Sequence, residues 1–264
     1  MGQAHACHKQ LLGVFMTVDI IGGSRRESAC AEILRNENEL PGFSKTILLP
    51  IPSSRNGEEI TGTKIKLLSL IDKDMSGVLI AGYALPSVFC SLVEEKGGAL
   101  ADVSYDETFT EENARLTAES TLLHIMNTCS ASAEGMRIGI VGYGRIGKCL
   151  AELLLFLGAR ITVFTRREHT KMELLFSGVD AQLVADADFS RCDILINTAP
   201  ARLFTQKQCD TLSCEVLELA PGENFPGAEK VTRLPSLPAK ILPVSGGRVY
   251  ARAIVRALKK GNEA

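Results

Sequence analysis

The stretch Gly142-Tyr143-Gly144-Arg145-Ile146-Gly147 limits what this chain can fold into more than any other. Before it, Arg137-Ile138-Gly139-Ile140-Val141 reads as a short buried parallel strand. After it, Lys148 to Leu157 carries a helical apolar run that stops at Gly158, and Arg160 to Phe164 reads as a second strand. Strand, turn, helix and strand in that order are what a dinucleotide-binding turn needs. The first glycine permits a tight turn, the second lets the backbone approach a pyrophosphate, and the third lets the helix pack on the strand with its N-terminal N–H groups facing the anion. Three glycines at this spacing also occur in purely structural turns, so the flanking elements carry the reading. Gly142, Gly144, Arg145, Ile146 and Gly147 are therefore candidate cofactor contacts.

The end of the second strand bears on which dinucleotide binds. A site selecting NAD places an acid about 20 residues past the first glycine, where it meets the ribose hydroxyls. Thr165-Arg166-Arg167 stand there instead, and the nearest acid, Glu168, comes later. A hydroxyl and two guanidinium groups suit a 2′-phosphate that a carboxylate would repel, so NADP is the expected cofactor. The alternative is a solvated pair of loop arginines.

Alternating strands and helices recur on both sides of this unit, giving an α/β fold with two parallel-sheet domains. In residues 1–109, strands are expected at Val14 to Ile21, Phe43 to Pro50, Gly77 to Ala81 and Leu100 to Val103. Helices are expected after Gly22-Gly23 through about Asn38, near Leu67 to Asp72 and from about Ser87 to Lys96. Residues 110–264 open with a linker helix, Thr110 to Cys129, which Thr110 would cap. They continue through strands near Ala181 to Val184, Asp193 to Asn197 and Glu215 to Leu219, and end in a helix from about Ser245 to Lys260.

Two further places look chemical. The strand ending in Asn197-Thr198-Ala199-Pro200 reaches the carboxyl edge where open α/β sheets bind ligands, so Asn197, Thr198 and Pro200 are cofactor candidates; a plain strand-ending turn would use the same residues. The segment Leu234 to Pro243 reads as a loop stiffened by three prolines that carries one lysine, Lys240, as a candidate catalytic group.

A net charge of −2 gives no general attraction to nucleic acid or an anionic membrane, so any anion site must be local. No apolar stretch approaches a bilayer span and no signal-peptide pattern is present, so a cytoplasmic location is expected. The eight cysteines are scattered without a C-x-x-C pair and read as reduced, buried thiols. His5, Cys7 and His8 cluster in a terminal segment, and no metal site is assigned to them.

Together these residues resemble the family of dipicolinate synthase A subunits, in the wider group that holds D-2-hydroxyacid dehydrogenases and adenosylhomocysteinase. The resemblance rests on Asn113-Ala-Arg-Leu-Thr117-Ala-Glu119, Ile140-Val-Gly142-Tyr-Gly144-Arg145-Ile-Gly147, Asn197-Thr198-Ala-Pro200 and Leu237-Pro238-Ala-Lys240-Ile-Leu-Pro243. It continues through Ile20-Ile21-Gly22-Gly23-Ser24-Arg25-Arg26 and Ile47-Leu48-Leu49-Pro50. Ser24 stands where the family usually has an acid, and Ser120 and Ala239 where it has glycines.

The resemblance implies a Rossmann NADP-binding domain and an oxidoreductase that dehydrogenates 4-hydroxy-tetrahydrodipicolinate to the dipicolinate of spores. It also implies a flavoprotein partner subunit, within a homo- or hetero-oligomer. The substrate, a small dicarboxylate, is expected in the cleft between the domains. Gly22, Gly23, Arg25, Arg26, Thr117 and Glu119 would bind it, and Lys240 would hold a carboxylate or assist proton transfer. A structural turn with two solvated arginines is the alternative at Gly22 to Arg26. Three other functions compete with this one, among them a shikimate-dehydrogenase-like enzyme, which shares the Asn-Thr-x-Pro pattern but would need an N-terminal lysine motif that the sequence lacks. A D-2-hydroxyacid dehydrogenase would need a late acid/base histidine, and none follows His169. A regulatory or scaffold subunit would bind NADP without catalysis.

Overall fold

The protein is described from a computed structural model covering residues 16–36, 40 and 42–261. The His5-Cys7-His8 cluster and the start of the first expected strand lie outside the described residues. Contacts divide the chain into two compact units. The first comprises Met1–Gly23 as far as described, Ala31–Val103, and the end of the chain from Ile254. The second comprises Ser24–Cys30 and Ser104–Ala253.

In the first unit, strands β1 (Thr17–Ile20), β2 (Lys45–Leu48), β3 (Val78–Gly82) and β4 (Ala99–Asp102) form a parallel sheet in chain order. Helix α1 (Arg25–Asn36), which belongs to this unit from Ala31 onward, follows β1, and α2 (Ser87–Glu95) joins β3 to β4. Ile47, Leu49, Ile60, Ile80, Phe89 and Val93 form the core. Burying each such side chain contributes about 1.5–3 kcal/mol. The helix expected near Leu67 to Asp72 is only a 3-10 turn, Leu67–Leu70. Lys66 gives no side-chain cap to its start, and Ile71 after it is already extended, so the turn is not continued. Asp102 accepts hydrogen bonds from the backbone N–H groups of Ala84 (3.0 Å) and Leu85 (2.8 Å), fixing the turn after β3.

The longer segment of the second unit begins with α3 (Glu107–Thr128). Its cap is Asp106, whose side chain accepts from Phe109 N at 3.3 Å, rather than the expected Thr110. The Thr110 hydroxyl lies one turn inside, where it donates to the Asp106 carbonyl at 3.2 Å. An aspartate has an acceptor for the orphan N–H groups and suits the positive end of the helix dipole, which moves the start forward.

A six-stranded sheet follows, built from β5 (Arg137–Val141), β6 (Arg160–Thr165), β7 (Asp180–Leu183), β8 (Ile194–Asn197), β9 (Glu215–Glu218) and β10 (Val231–Arg233). All its strands are parallel, in the order β10-β9-β8-β5-β6-β7. Helix α4 (Arg145–Phe156) links β5 to β6, α5 (Glu168–Phe176) links β6 to β7, and the short α6 (Gln206–Asp210) lies between β8 and β9. The chain ends in α7 (Leu237–Ile241) and α8 (Pro243–Gly261). One face of the sheet buries Ile140, Val163 and Ile196 against α3, α4 and α5, and the other collects Phe164, Phe189, Phe204 and Phe225. Strand order reverses between β5 and β8, the switch point at which open parallel sheets bind ligands.

The segment read from sequence as a proline-stiffened loop is therefore partly helical. Pro238 falls in the first turn of α7, where its missing N–H costs nothing, and Lys240 is exposed in the last turn. Among the described residues no helix is long and apolar enough to cross a membrane, and no cluster of three or more His, Cys, Asp or Glu could hold a metal ion. The seven described cysteines are free thiols, and burial pushes the Cys192 thiol up to about 12.

Candidate functional site

A pocket of about 310 Å³ opens at the switch point of the six-stranded sheet. Gly142, Tyr143 and Gly144 form one wall, Thr165, Arg166, Arg167 and Thr170 a second, and Thr198, Ala199, Pro200 and Leu203 a third, with Phe164 beneath. Each wall follows the carboxyl end of a strand, β5, β6 or β8.

The three glycines have distinct physical reasons for being there. Gly142 has φ +90°, a region closed to most side chains, and a Cβ on it would stand 2.9 Å from Thr198 Oγ1. A Cβ on Gly147 would stand 2.3 Å from the Gly142 carbonyl oxygen, so this glycine lets α4 pack on the turn. Gly144 differs. It caps α4 with φ −85° and ψ −165°, which any residue adopts, and a Cβ on it would meet nothing within 4 Å. Nothing in the protein requires a glycine at that position. The requirement is met if an anion lies against the backbone there, and the start of α4 has no side-chain cap for its N–H groups. The cradle therefore fits the pyrophosphate of a dinucleotide.

The other walls are held by their own bonds. Thr198 Oγ1 donates to the Val141 carbonyl at 2.9 Å, tying the turn after β8 to the end of β5. Thr165 is buried, and its hydroxyl accepts from Arg167 N at 3.2 Å, while Arg166 and Arg167 are exposed. Tyr143 has its phenol pushed up by burial and by Glu152 and Glu173, and Lys148 sits over its ring at 5.6 Å.

Of the sequence-predicted cofactor residues, Gly142, Gly144, Thr165, Arg166, Arg167, Thr198 and Pro200 line this pocket. Four do not. Gly147 packs behind the turn, Ile146 faces the core, Arg145 pairs with Glu107 of α3, and Asn197 is buried with its amide turned to Glu218 and Ala199. Sequence reading missed Tyr143, Phe164, Thr170, Ala199 and Leu203 as lining residues, because a pocket wall assembled from three loops has no single spacing. It also missed Glu218, although an acid in the otherwise apolar run Val216 to Leu219 was a readable signal.

The predicted substrate residues are placed as follows. Gly22 packs against the Ile60–Thr63 loop. Gly23 and Arg25 are exposed at the start of α1, whereas Arg26 is buried and paired with Glu27 at 2.8 Å. On α3, Thr117 donates its hydroxyl to the Asn113 carbonyl at 2.7 Å, and Glu119 pairs with Arg115 at 3.1 Å.

Comparison with known proteins agrees with this geometry. Residues 108–218 match the family described as D-isomer specific 2-hydroxyacid dehydrogenase, NAD binding domain. No curated protein matches the sequence. Among solved structures, the A subunit of dipicolinate synthase from Bacillus halodurans is 19% identical, with 94% of this chain and 98% of that chain covered and a TM-score of 0.72. The corresponding dipicolinate synthase chain from Bacillus subtilis is 18% identical, covering 95% and 98%, with a TM-score of 0.70. A phosphoglycerate oxidoreductase from Vibrio cholerae is 13% identical, covering 94% and 100%, with a TM-score of 0.54. The dehydrogenase match supports an oxidoreductase that binds a nicotinamide dinucleotide. Residues 108–218 are thus similar to the NAD-binding domain of the D-isomer specific 2-hydroxyacid dehydrogenases, within a chain that has the fold of the dipicolinate synthase A subunits.

Proposed function

We propose that the chain is the NADP-dependent oxidoreductase subunit of a dipicolinate synthase, with 4-hydroxy-tetrahydrodipicolinate as its substrate. One observation carries the cofactor assignment. The pocket that begins at the open start of α4 is bordered, at the end of β6, by Thr165, Arg166 and Arg167, and none of its lining residues has a carboxylate. The likeness in fold to the dipicolinate synthase A subunits supports the substrate. The reaction removes one water and two hydrogens from the substrate ring. When bound, NADP+ would accept a hydride, and the remaining proton would pass to solvent.

The chain's own residues then have separable tasks. Backbone N–H groups at Gly144 and the first turn of α4 hold the pyrophosphate. Arg166 and Arg167 pair with the 2′-phosphate. Arg25 and Lys240, both exposed cations, hold substrate carboxylates, and Lys240 can hold or deliver a proton. Arg26 serves indirectly by fixing the start of α1 with Glu27. Thr117 and Glu119 on α3 would meet the substrate at its hydroxyl, which can donate to them, and not at its carboxylates. A cytoplasmic, sporulation-linked enzyme working with a flavoprotein partner is the setting that this reading gives.

The test is turnover. Purified chain with NADP+ and enzymatically generated substrate should form NADPH and dipicolinate, and Arg25→Ala or Lys240→Ala should lower kcat/KM by about ten- to a hundredfold, the value of one charge-assisted contact. NADP binding without turnover, alone or with a flavoprotein, would favour a regulatory role. The family matched by residues 108–218 also favours a second reading, reduction of a 2-oxo acid, which the same preparation tests.

A further inference from the structure

Beside the pocket lies a buried carboxylate to which the proposed reaction gives no role. Glu218, the last residue of β9, is 3% exposed, and the parallel register sets it against Asn197, the last residue of β8. Asn197 Nδ2 donates to Glu218 Oε1 at 2.8 Å and to the Ala199 carbonyl at 3.2 Å, while Asn197 Oδ1 accepts from Ala199 N at 3.1 Å. Glu218 Oε1 also accepts from Ala220 N at 3.1 Å, and Oε2 from Asn224 Nδ2 at 3.2 Å.

These bonds have a direction. An ionised carboxylate only accepts, so it draws Nδ2 of Asn197 toward itself, and the amide oxygen must then face Ala199 N. Ala199 sits in the pocket wall opposite Gly142, between Thr198 and Pro200. Core stability does not account for the residue. Val216 and Leu217 fill the same strand with apolar groups, and a third would avoid the several kcal/mol that burying a charge costs.

We propose that Glu218 is a positioning residue of the dinucleotide pocket: through the Asn197 amide it holds the Thr198–Pro200 turn in place as the wall facing the glycine turn. The geometry of that hold is independent of function, whereas its effect on affinity rests on the dinucleotide reading above.

The experiment uses the full chain and three variants, Glu218→Leu, Glu218→Gln and Asn197→Ala, with two readouts. Gln keeps an acceptor for Asn197 and Ala220, and the Asn224 amide can rotate to accept from the new Nε2. Amide hydrogen exchange without ligand should therefore speed up by about tenfold or more at Ala199 in the Leu and Asn197→Ala variants and stay within about twofold in the Gln variant, since one local bond is lost or kept. NADPH titration should show the same order, with affinity falling by about ten- to a hundredfold in the first two variants and scarcely in the third. Unchanged exchange at Ala199 in folded Glu218→Leu or Asn197→Ala protein overturns the proposal, as does equal loosening by Leu and Gln. If Glu218→Leu prevents folding, Glu218→Met takes its place, since Asn197→Ala removes the acceptor of Ala199 N whatever Glu218 does. Should the unaltered protein bind no dinucleotide, the pocket reading fails, while the exchange rates still decide the positioning role.

Discussion

Two helices in this protein start directly after a glycine turn that follows the first strand of a sheet, and they end up chemically opposite. At α1, the chain supplies its own anion. Glu27, with no exposed surface, accepts from Ser24 N (2.7 Å), Ser24 Oγ (2.6 Å) and Arg26 Nε (2.8 Å). The acid three residues past a serine closes the helix start in capping-box fashion and neutralises Arg26. At α4, Gly144 offers no side chain to the first turn, and the space a Cβ would take is open. A helix N-terminus is a receptor for external anions only when the protein has not already filled it. Glycine spacing cannot reveal which case holds, because the deciding group is a carboxylate within reach.

The contrast is most directly broken at Gly144. Gly144→Val should leave the thermal unfolding midpoint nearly unchanged, since the backbone there is extended, while dinucleotide binding weakens beyond about 1 mM, equivalent to more than about 4 kcal/mol of lost affinity relative to micromolar binding. Calorimetric titration of the folded variant checks it, and normal binding would show that the open start of α4 is not the anion site.

The next effect belongs to the closed helix start. Glu27→Ala leaves Arg26 buried without its neighbour's charge and should cost about 3–5 kcal/mol of stability, read by urea unfolding, with NADPH affinity of the folded protein unchanged. A loss of affinity larger than the loss of stability would mean that the two helix starts are coupled.

A smaller change should follow from Arg166→Ala with Arg167→Ala. NADP affinity should fall by about ten- to a hundredfold, roughly 1.5–3 kcal/mol, while NAD affinity stays within about twofold. Equal affinity for both cofactors before mutation would remove the 2′-phosphate assignment.

The smallest effect is the pH dependence of Glu218. Burial pushes its carboxyl above the usual carboxylate range, against the hydrogen bonds from Asn197, Asn224 and Ala220 and the charge of Arg233 on β10. A raised folded-state pKa means that this group contributes stability that is full below its unfolded pKa and lost as pH rises through the folded value. Unfolding free energies of the protein and of Glu218→Gln should therefore diverge across that window, the unaltered protein gaining relative to the variant on acidification. Parallel profiles would show that the carboxylate titrates normally.

Legibility followed chain distance. Residues that act through their own local backbone were readable. The Gly142 turn, the strands on either side and the arginines after β6 depend on spacing within about 30 residues, and the lining of the pocket includes the turn and the arginines. The capping signal at Thr110 places the start of α3 one turn too late, because a cap is decided by which side chain reaches an orphan N–H group, and it is Asp106 that reaches Phe109 N. Lys240 was read into a loop because prolines are breakers on average, although one in the first turn of α7 is tolerated.

What the sequence determined by itself is the parallel α/β character, the dinucleotide turn and the cationic end of β6, since periodicity, turn chemistry and charge are properties of neighbouring residues. Only the tertiary structure decided which of those groups remain available. Arg26 is taken by Glu27, Arg145 by Glu107, and Asn197 by Glu218, 21 residues further along the chain. A buried or charged side chain seeks whichever partner the packed sheet brings within hydrogen-bond distance, and that distance is set by strand order and register, which no local pattern of residues specifies.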